Sequence, residues 1–448
     1  MALKLPPQDI ETERAVLGAL MVDSGAIIKV ADFLFPNDFY KPVHQKIYEV
    51  VLDLFTNSQP IDLLSVSTKL KENKSLEEIG GVNYLTDLIN EVPTASHIAH
   101  YAKTVKEKKV LRDLIQTSAE INEKVYENIE VEDLLDEVEQ KIFNITQHSL
   151  PQKYIKLKDE LQAAYERIEK LHRGEEAIRG VPTGFTKLDD NLSGLQRSDF
   201  IILGARPSLG KTALALDIAR HAAVKNKIPV GIFSLEMSRE QVVDRLIAAE
   251  ANVTLWRLRT GKLNDQLEFG MIQEALDRLS QAPIFIDDTP SPSILQIRSA
   301  ARRMQLEQGL GLVIVDYLQL IQPRTNSDNM VQQVTEISRG LKALARELKT
   351  PVLALSQLSR AVDQREIKIP RLSDLRESGS LEQDADVVML LCRKNWERND
   401  ASPEELNLTE VIISKHRNGP TGSVELMFDP DRVSFKNIDK THQENSNF

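Results

Sequence analysis

The sequence predicts an α/β core, a mainly parallel sheet with helices on both faces, preceded by an all-α N-terminal domain and a linker helix. Three observations carry that expectation. From about residue 180 onward, short apolar runs alternate with helix-period segments, whereas up to about residue 150 only helical periodicity is found. The apolar run FIILG also leads directly into ARPSLGKT (205–212), which opens the helical segment ALALDIARHAA. Strand–helix alternation favours parallel pairing, because each crossover helix returns the chain to the same end of the sheet.

At 448 residues the chain is long enough for two or three domains. Its 41% hydrophobic, 5% aromatic and 27% charged content fits a helix-rich soluble protein. No apolar run approaches the ~18 to 20 residues that span a bilayer, and MALKLPPQDIETE lacks the apolar stretch of a signal peptide. The single cysteine, Cys392, excludes an internal disulfide and any multi-cysteine zinc site, and its run VVMLLC reads as a buried strand. The expectation is a cytoplasmic protein without membrane association. A net charge of −11 argues against a surface that coats duplex DNA. It leaves room for nucleic acid gripped in a groove lined by a few basic loops.

Four regions follow from the pattern: a helical domain over 1–150, a linker over 151–179, the α/β domain over 180–436 and a disordered tail over 437–448. In the first, VEDLLDEVEQKIFNI sets Val131, Leu134, Leu135, Val138 and Ile142 at helical spacing, and the segment from Ile98 through Ile115 behaves alike. Gly80, Gly81 and Pro93 punctuate the turns. No catalytic constellation occurs here, so the region reads as an interaction or assembly domain. In the linker, Leu157, Leu161, Ala164, Tyr165, Ile168 and Leu171 form one apolar stripe, followed by the breaker-rich EEAIRGVPTGF. Such a stripe docks either on its own domain or on a neighbouring subunit, and spacing does not separate the two. In the third region DFIILG, VGIFSLE, IFIDD, LVIVD, VLALSQ, DVVMLLC and EVIISK read as buried strands.

A strand, a loop ending in Gly-Lys-Thr and a helix form the context of a phosphate-binding loop. Ala205, Arg206, Pro207, Ser208, Leu209 and Gly210 supply backbone N–H groups to phosphates, with the helix N-terminus behind them. Lys211 neutralises β/γ oxygens, and the Thr212 hydroxyl ligates Mg²⁺. Ala205 stands where glycine is usual, which fits a position that needs little room but no positive φ. Further polar residues follow predicted strands: Glu236 after GIFSL, Asp316 after LVIV, Gln357 after VLALS, and Lys415 and Arg417 after EVIIS. In an open parallel sheet the carboxyl ends of strands form the ligand crevice. Asp316 suits the magnesium shell, through water; Glu236 suits a general base for the attacking water; Gln357 suits a γ-phosphate sensor. Arg417, with Lys415 two residues before it, suits stabilisation of transition-state charge from the same or the next subunit. Each alone is equally at home as a turn former, N-cap or solvated strand end. Their concurrence beside a phosphate loop points to an ATPase using ATP and Mg²⁺.

After Gln357 comes LSRAVDQREIKIPRLSDLRESGSLEQDAD, a connection unusually long for a compact domain. It carries Arg360, Arg365, Lys368, Arg371 and Arg376 without an aromatic residue, although acidic residues are interleaved. Basic groups and backbone amides around Ser378, Gly379 and Ser380 suit a phosphate backbone, so binding is expected to be sequence-independent and salt-sensitive. The polar stretch IQPRTNSDNM is a second candidate for the same surface.

The stretches TGFTKLDDNLSGLQRSDFIILGARPSLGKT, FSLEMS, VDYLQLI, LALSQLSR, DLRESGSLEQDAD and KHRNGPTG together resemble the bacterial and phage replicative DNA helicases of the DnaB type, with their RecA-like core. PPQDIETERAVLGAL and GGVNYLTDLIN resemble that family's helical N-terminal domain, so the resemblance runs along nearly the whole chain. It implies a homohexameric ring moving 5′ to 3′ on single-stranded DNA and unwinding duplex at the replication fork. It implies nucleotide sites between subunits, with Lys415 and Arg417 arriving from the neighbour, and a linker helix docked on the adjacent subunit. It implies DNA contacts at Arg376, Glu377 and Gly379, with Arg365 beside them, and primase and a helicase loader as partners. Alanine at the head of the phosphate loop is usual in this family. Asp199, where related RecA-like proteins often have glycine, is a departure expected to affect only turn geometry. Two other readings share the core: a recombinase-like filament ATPase, and an ATP-dependent DNA clamp without unwinding.

Overall fold

The computed structural model describes residues 5–92, 95–127, 180–263, 265–323, 330–365, 368–375, 379–393 and 402–438, with scattered positions between 134 and 173. The chain divides into two compact units, Met1–Asp159 and Glu160–Phe448.

In the first unit, α1 (Ile10–Val22), α2 (Pro42–Thr56), α3 (Leu63–Glu72), α4 (Gly81–Asn90) and α5 (Ile98–Val125) enclose one apolar core. Asp9 caps α1 by accepting the Thr12 N–H at 3.0 Å, one of the helix's orphan donors. Leu17, Leu20, Ile47, Tyr48, Leu85 and Leu88 are fully or nearly fully buried. Gly18 lets α1 and α4 approach backbone to backbone: a Cβ there would lie 2.0 Å from the Leu88 carbonyl oxygen. The buried Glu13 carboxylate accepts the Tyr40 N–H at 2.6 Å and sits 2.6 Å from Nδ1 of the buried His44. These groups satisfy one another inside the core. Val131, Leu135 and Pro93, invoked in the sequence reading, lie outside the described residues.

The second unit contains a nine-stranded sheet in the order β3-β2-β4-β5-β1-β6-β7-β8-β9. Its elements are α6 (Thr186–Leu192), β1 (Phe200–Ala205), α7 (Lys211–Arg220), β2 (Val230–Ser234), α8 (Arg239–Ala251), α9 (Leu255–Thr260), α10 (Asp265–Ser280) and β3 (Ile284–Asp287). They continue with α11 (Ile294–Gln308), β4 (Leu312–Asp316), α12 (Met330–Leu348), β5 (Val352–Gln357), α13 (Gly379–Asp384), β6 (Val387–Cys392), α14 (Pro403–Asn407), β7 (Leu408–His416), β8 (Gly422–Asp429) and β9 (Ser434–Lys436). The strands β1 to β6 are mutually parallel, as the alternation predicted. Side chains of β1 alternate between two cores: Ile201 and Leu203 pack toward α7, Phe200 and Ile202 toward α11 and α12.

From β6 onward the sheet reverses. β7, β8 and β9 are antiparallel, and β7 is buried on alternate residues only, so it is not the fully buried parallel strand expected from EVIISK. The short turn at 417–421 leaves too little chain for a crossover and so makes β8 antiparallel to β7, while β7 itself reverses against β6 across the connection that contains α14. β3 is a half-buried edge strand, and Asp287 at its end accepts the Thr289 N–H at 3.0 Å as a turn former. Cys392 is buried in β6. Asp199 ends a turn in which Ser198 adopts φ 67°, and its carbonyl accepts the Val352 N–H at 2.9 Å.

The β8–β9 hairpin is tied to α7 by Asp217, whose buried carboxylate accepts the Phe435 N–H at 2.7 Å and the Ser434 hydroxyl at 2.9 Å and pairs with Arg220 at 3.1 Å. Replacing Asp217 by Ala should strand these donors and cost roughly 3 kcal/mol of stability. The expected result is a melting midpoint several degrees lower, measured by circular dichroism on the full chain.

Of the linker stripe, Leu157, Leu161 and Tyr165 are exposed (74%, 56% and 67%), while Ala164, Ile168 and Leu171 lie outside the described residues, as do 439–448 of the expected tail.

Candidate nucleotide site

The centre of the sheet fixes where chemistry can occur. β2, β4, β5 and β1 run side by side in one direction, so the residues at their carboxyl ends converge on one edge. Ala205 ends β1 level with Gln357 of β5; it is extended and almost wholly buried, so alanine meets no strain there. The loop that follows turns through Ser208 (φ 67°) and Gly210 (φ 92°). Gly210 answers two demands at once, a positive φ and a close approach, since a Cβ would come within 2.9 Å of Phe435 Cζ. Gly210 also heads α7 without a side-chain cap, which leaves the first N–H groups of the helix facing the loop.

Lys211 and Thr212 open α7 directly behind the loop. The Lys211 ammonium lies 3.4 Å from Asp316 Oδ1, 4.0 Å from Glu236 Oε2 and 4.3 Å from the centre of the Tyr317 ring. Thr212 Oγ1 donates to Asp316 Oδ2 at 2.6 Å. Asp316 is buried, yet its Oδ1 accepts no hydrogen bond. A hard divalent cation suits this donor set. Mg²⁺ keeps waters and substrate phosphates as most of its ligands, and needs only one or two protein oxygens such as these. Among the described residues, no group of three or more His, Cys, Asp or Glu side chains is placed to hold a metal ion. Glu236 stands two residues past β2 with its side chain half exposed (52%), free to face a water on the phosphate side.

Three expected residues have different surroundings from those foreseen. The Arg206 side chain turns away from the loop's hollow: Nη2 donates to Asp363 Oδ2 at 2.6 Å and Nη1 to the Leu358 carbonyl at 2.9 Å. Lys415 and Arg417 are not in the crevice with the other strand ends. β7 runs against β6, so His416 pairs with Val387, which pairs in turn with Ile201 at the start of β1. That places both cations at the opposite edge of the sheet, roughly 16 Å along the strands from the phosphate loop. There Lys415 Nζ donates to the carbonyls of Glu382 (2.5 Å) and Gln383 (3.2 Å), and Arg417 pairs with the buried Asp386 at 3.2 Å. Burial and then the neighbouring Arg417 charge hold the Lys415 pKa below its ordinary value.

Of the expected DNA contacts, Arg376 and Glu377 lie outside the described residues, as does 324–329 of the second polar loop. Gly379 begins α13, with open space where a Cβ would be. Arg365 is already engaged: its Nη1 donates to Asp374 at 2.8 Å, and its other terminal nitrogen reaches the same buried carboxylate.

Two residues at this site carried no signal in the sequence. Arg245 lies on α8 in a mixed-charge helix and is indistinguishable there from any surface arginine. Burial lowers its pKa, and the charges of Asp316 and Glu236 act against that shift, which puts the guanidinium in the field of both carboxylates. Tyr317 follows Asp316 and lays its ring against Lys211; burial, then the Glu236 and Asp316 charges, raise its phenol pKa.

Comparison with known proteins decides the family. The DnaB-like helicase C terminal domain matches residues 180–437, and the DnaB-like helicase N terminal domain matches residues 5–107. The chain belongs to the DnaB-like helicase family. It is 48% identical over 443 residues to the replicative DNA helicase DnaB of Geobacillus stearothermophilus, covering 98% of this chain and 97% of that protein. It is also 48% identical to the replicative DNA helicase DnaC of Bacillus subtilis (strain 168), covering 98% and 96%. A solved DnaB-like replicative helicase, described with its interactions with primase, superposes with a TM-score of 0.77 at 33% identity, covering 96% of this chain and all of that one. This DnaB-like protein is therefore a replicative DNA helicase, an enzyme that hydrolyses ATP and unwinds DNA, built on a RecA-like core with a helical N-terminal domain. The filament and clamp readings fall away. Among the described residues no helix is long and apolar enough to cross a membrane.

Because Arg245 lies in the field of both carboxylates, Arg245→Ala should lower ATP turnover about 100-fold while weakening nucleotide binding much less. Steady-state ATPase assays, paired with titration of a fluorescent ATP analogue, separate the two effects.

Proposed function

We propose that this helicase works as a homohexameric ring that moves 5′ to 3′ along single-stranded DNA, with each nucleotide site shared between two subunits. The observation that carries this reading is the direction of β7. Lys415 and Arg417 leave the sheet at the edge opposite their own phosphate loop, with the Arg417 side chain half exposed (52%). An arginine that serves phosphate chemistry from there serves the loop of a neighbour. Such a contact is heterologous and closes into a ring when its rotation closes.

Within the shared site, backbone N–H groups from Ala205 to Gly210 and the α7 N-terminus bind the phosphates. Lys211 neutralises the β/γ oxygens. Thr212 and, through water, Asp316 hold Mg²⁺, which when bound draws electron density from the phosphate oxygens. Glu236 orients the attacking water and takes its proton; Gln357 senses the γ-phosphate; the neighbour's Lys415 and Arg417 stabilise charge in the transition state. Arg206 contributes its main chain only, since its side chain is spent on Asp363 and Leu358.

Single-stranded DNA runs past the segment that follows β5, held through Arg376, Glu377 and main-chain groups at Gly379. Arg365, already forked onto Asp374, braces this segment more than it reaches DNA. The exposed Leu157, Leu161 and Tyr165 of the 151–179 linker fit a helix whose apolar face is covered by the adjacent subunit, and 1–150 forms the collar on which primase acts, with a loader opening the ring. We place the protein in the cytoplasm, in the region organisation read from the sequence.

Forked duplexes of opposite polarity test the reading directly. With ATP and Mg²⁺, displacement is expected only from the fork with a 5′ single-stranded loading tail, and not with Lys211→Ala; unwinding from the reversed fork would overturn the polarity. Glu236→Gln should bind ATP with affinity near the parent's yet turn over at least 100-fold more slowly, as read by single-turnover assays. Arg417→Ala should abolish turnover, but mixing it with Lys211→Ala subunits should restore a measurable fraction. Some mixed interfaces then pair an intact phosphate loop with an intact arginine, and complete absence of rescue would sink the shared site.

A further inference from the structure

We propose that the end of β5 is held in a two-sided clamp, with Gln319 on one flank and the Arg206–Asp363 pair on the other. This clamp carries the state of the nucleotide site to the DNA-contacting segment. The inference rests on the reading of Gln357 as γ-phosphate sensor and extends it to residues that touch neither nucleotide nor DNA.

The clamp follows from where the strand ladders stop. β4 pairs with β5 only as far as Val315 and Ala354, whereas β1 stays beside β5 up to Ala205 and Gln357. Beyond Ala354, the edge of β5 that faced β4 has lost its strand partner. In a parallel ladder successive residues direct their backbone groups to alternate sides. Leu358 sends its N–H to the Ala205 carbonyl at 3.0 Å, so Gln357 directs its own N–H and C=O toward the side that β4 has left. Gln319, three residues past Asp316, fills that gap. Its Oε1 accepts the Gln357 N–H at 3.4 Å, and its Nε2 donates to the Gln357 carbonyl at 3.3 Å and to the Ser356 hydroxyl at 3.0 Å. One carboxamide thus stands in for the missing strand residue and fixes the backbone that aims the Gln357 side chain.

The other flank is held from the phosphate loop. Arg206, the first residue after β1, donates Nη1 to the Leu358 carbonyl at 2.9 Å and forks onto Asp363, Nε to Oδ2 at 3.0 Å and Nη2 to Oδ2 at 2.6 Å. A planar guanidinium matched to carboxylate and carbonyl in this way has fixed geometry as well as charge. Residues 357–363 are therefore bonded on one side to the segment that carries Asp316 and on the other to the loop that holds phosphate. Any shift of either on loss of nucleotide reaches this turn, and the chain continues from it into the DNA-contacting segment. Gln319 and Asp363 are positioning residues: both ends of the Gln319 amide are engaged, and the Asp363 carboxylate is committed to Arg206.

The test uses the full chain and three variants: Gln319→Met, which keeps volume and removes the hydrogen bonds; Asp363→Asn, at a half-exposed position; and Gln357→Ala as the benchmark. Each is assayed for ATPase activity with and without oligo(dT), affinity for a fluorescent ATP analogue, oligo(dT) affinity by anisotropy, and melting temperature. The clamp predicts basal turnover and nucleotide affinity within about twofold of the parent for Gln319→Met and Asp363→Asn. It predicts DNA-stimulated kcat about fivefold lower. Gln357→Ala should lose stimulation further. If Gln357→Ala loses stimulation while the other two retain it, the clamp is overturned and the sensor stands. If all three retain it, the sensor reading fails and the clamp falls with it. Equal loss of basal and stimulated turnover in Gln319→Met and Asp363→Asn would reduce both residues to structural support and overturn the proposal. Should Gln319→Met melt early, the surface substitution Asp363→Asn decides alone.

Discussion

Strand direction is the constraint on which the rest depends. Six neighbouring strands run one way, so their carboxyl ends bring the phosphate loop, Glu236, Asp316 and Gln357 to a single edge. The seventh runs the other way, and its carboxyl end delivers Lys415 and Arg417 to the far edge. No rotamer of a side chain reverses that separation, because the length of β1 itself lies between the two groups. The same sheet thus sets the loop and its carboxylates at one edge and two cations at the other, and in the proposed ring a heterologous contact is the arrangement that would bring them together.

The phosphate loop is held by what lies beneath it. Gly210 rests against Phe435 and Phe428, whose rings pack 4.9 Å apart, and Asp217 pins the same hairpin to α7 about two turns further along. Ser208, a non-glycine residue at positive φ, holds that conformation only where its surroundings over-determine it, and here the antiparallel end of the sheet backs the loop. The hairpin therefore does two things: it backs the loop of its own chain, and through β7 it carries the cations to the other edge.

Much of this was legible in the sequence because it rests on local rules. Apolar runs of strand length, a loop ending in Gly-Lys-Thr and helical periodicity before about residue 150 depend on neighbours in the chain, and they predicted the parallel core and the helical domain before it. What was not legible depends on distant pairing. EVIISK has the composition of a buried strand whether it runs parallel or antiparallel; its direction is set by pairing with β6, and nothing in the run itself signals which edge Arg417 reaches. Arg206 looked like one more phosphate-loop residue, but its partner Asp363 is 157 positions away. Arg245 and Tyr317 needed burial and charge context that a helix of mixed polarity and a tyrosine after a strand do not announce.

The carboxylate that most needs a partner is also the one that links these parts. Asp316 is buried, bonds Thr212 through one oxygen and leaves the other without a hydrogen bond, facing Lys211. A buried anion so placed is stabilised when a cation and its phosphates complete the shell and is under-coordinated when they leave. The cost of departure is borne by the segment on which Asp316 sits, and three residues later that segment holds the backbone of Gln357 through Gln319. Nucleotide loss is then felt at the end of β5 without any need for a large rearrangement. The strand ladder that would otherwise have bonded β5 rigidly to β4 ends at Ala354, and a side chain, easier to displace than a strand, takes its place.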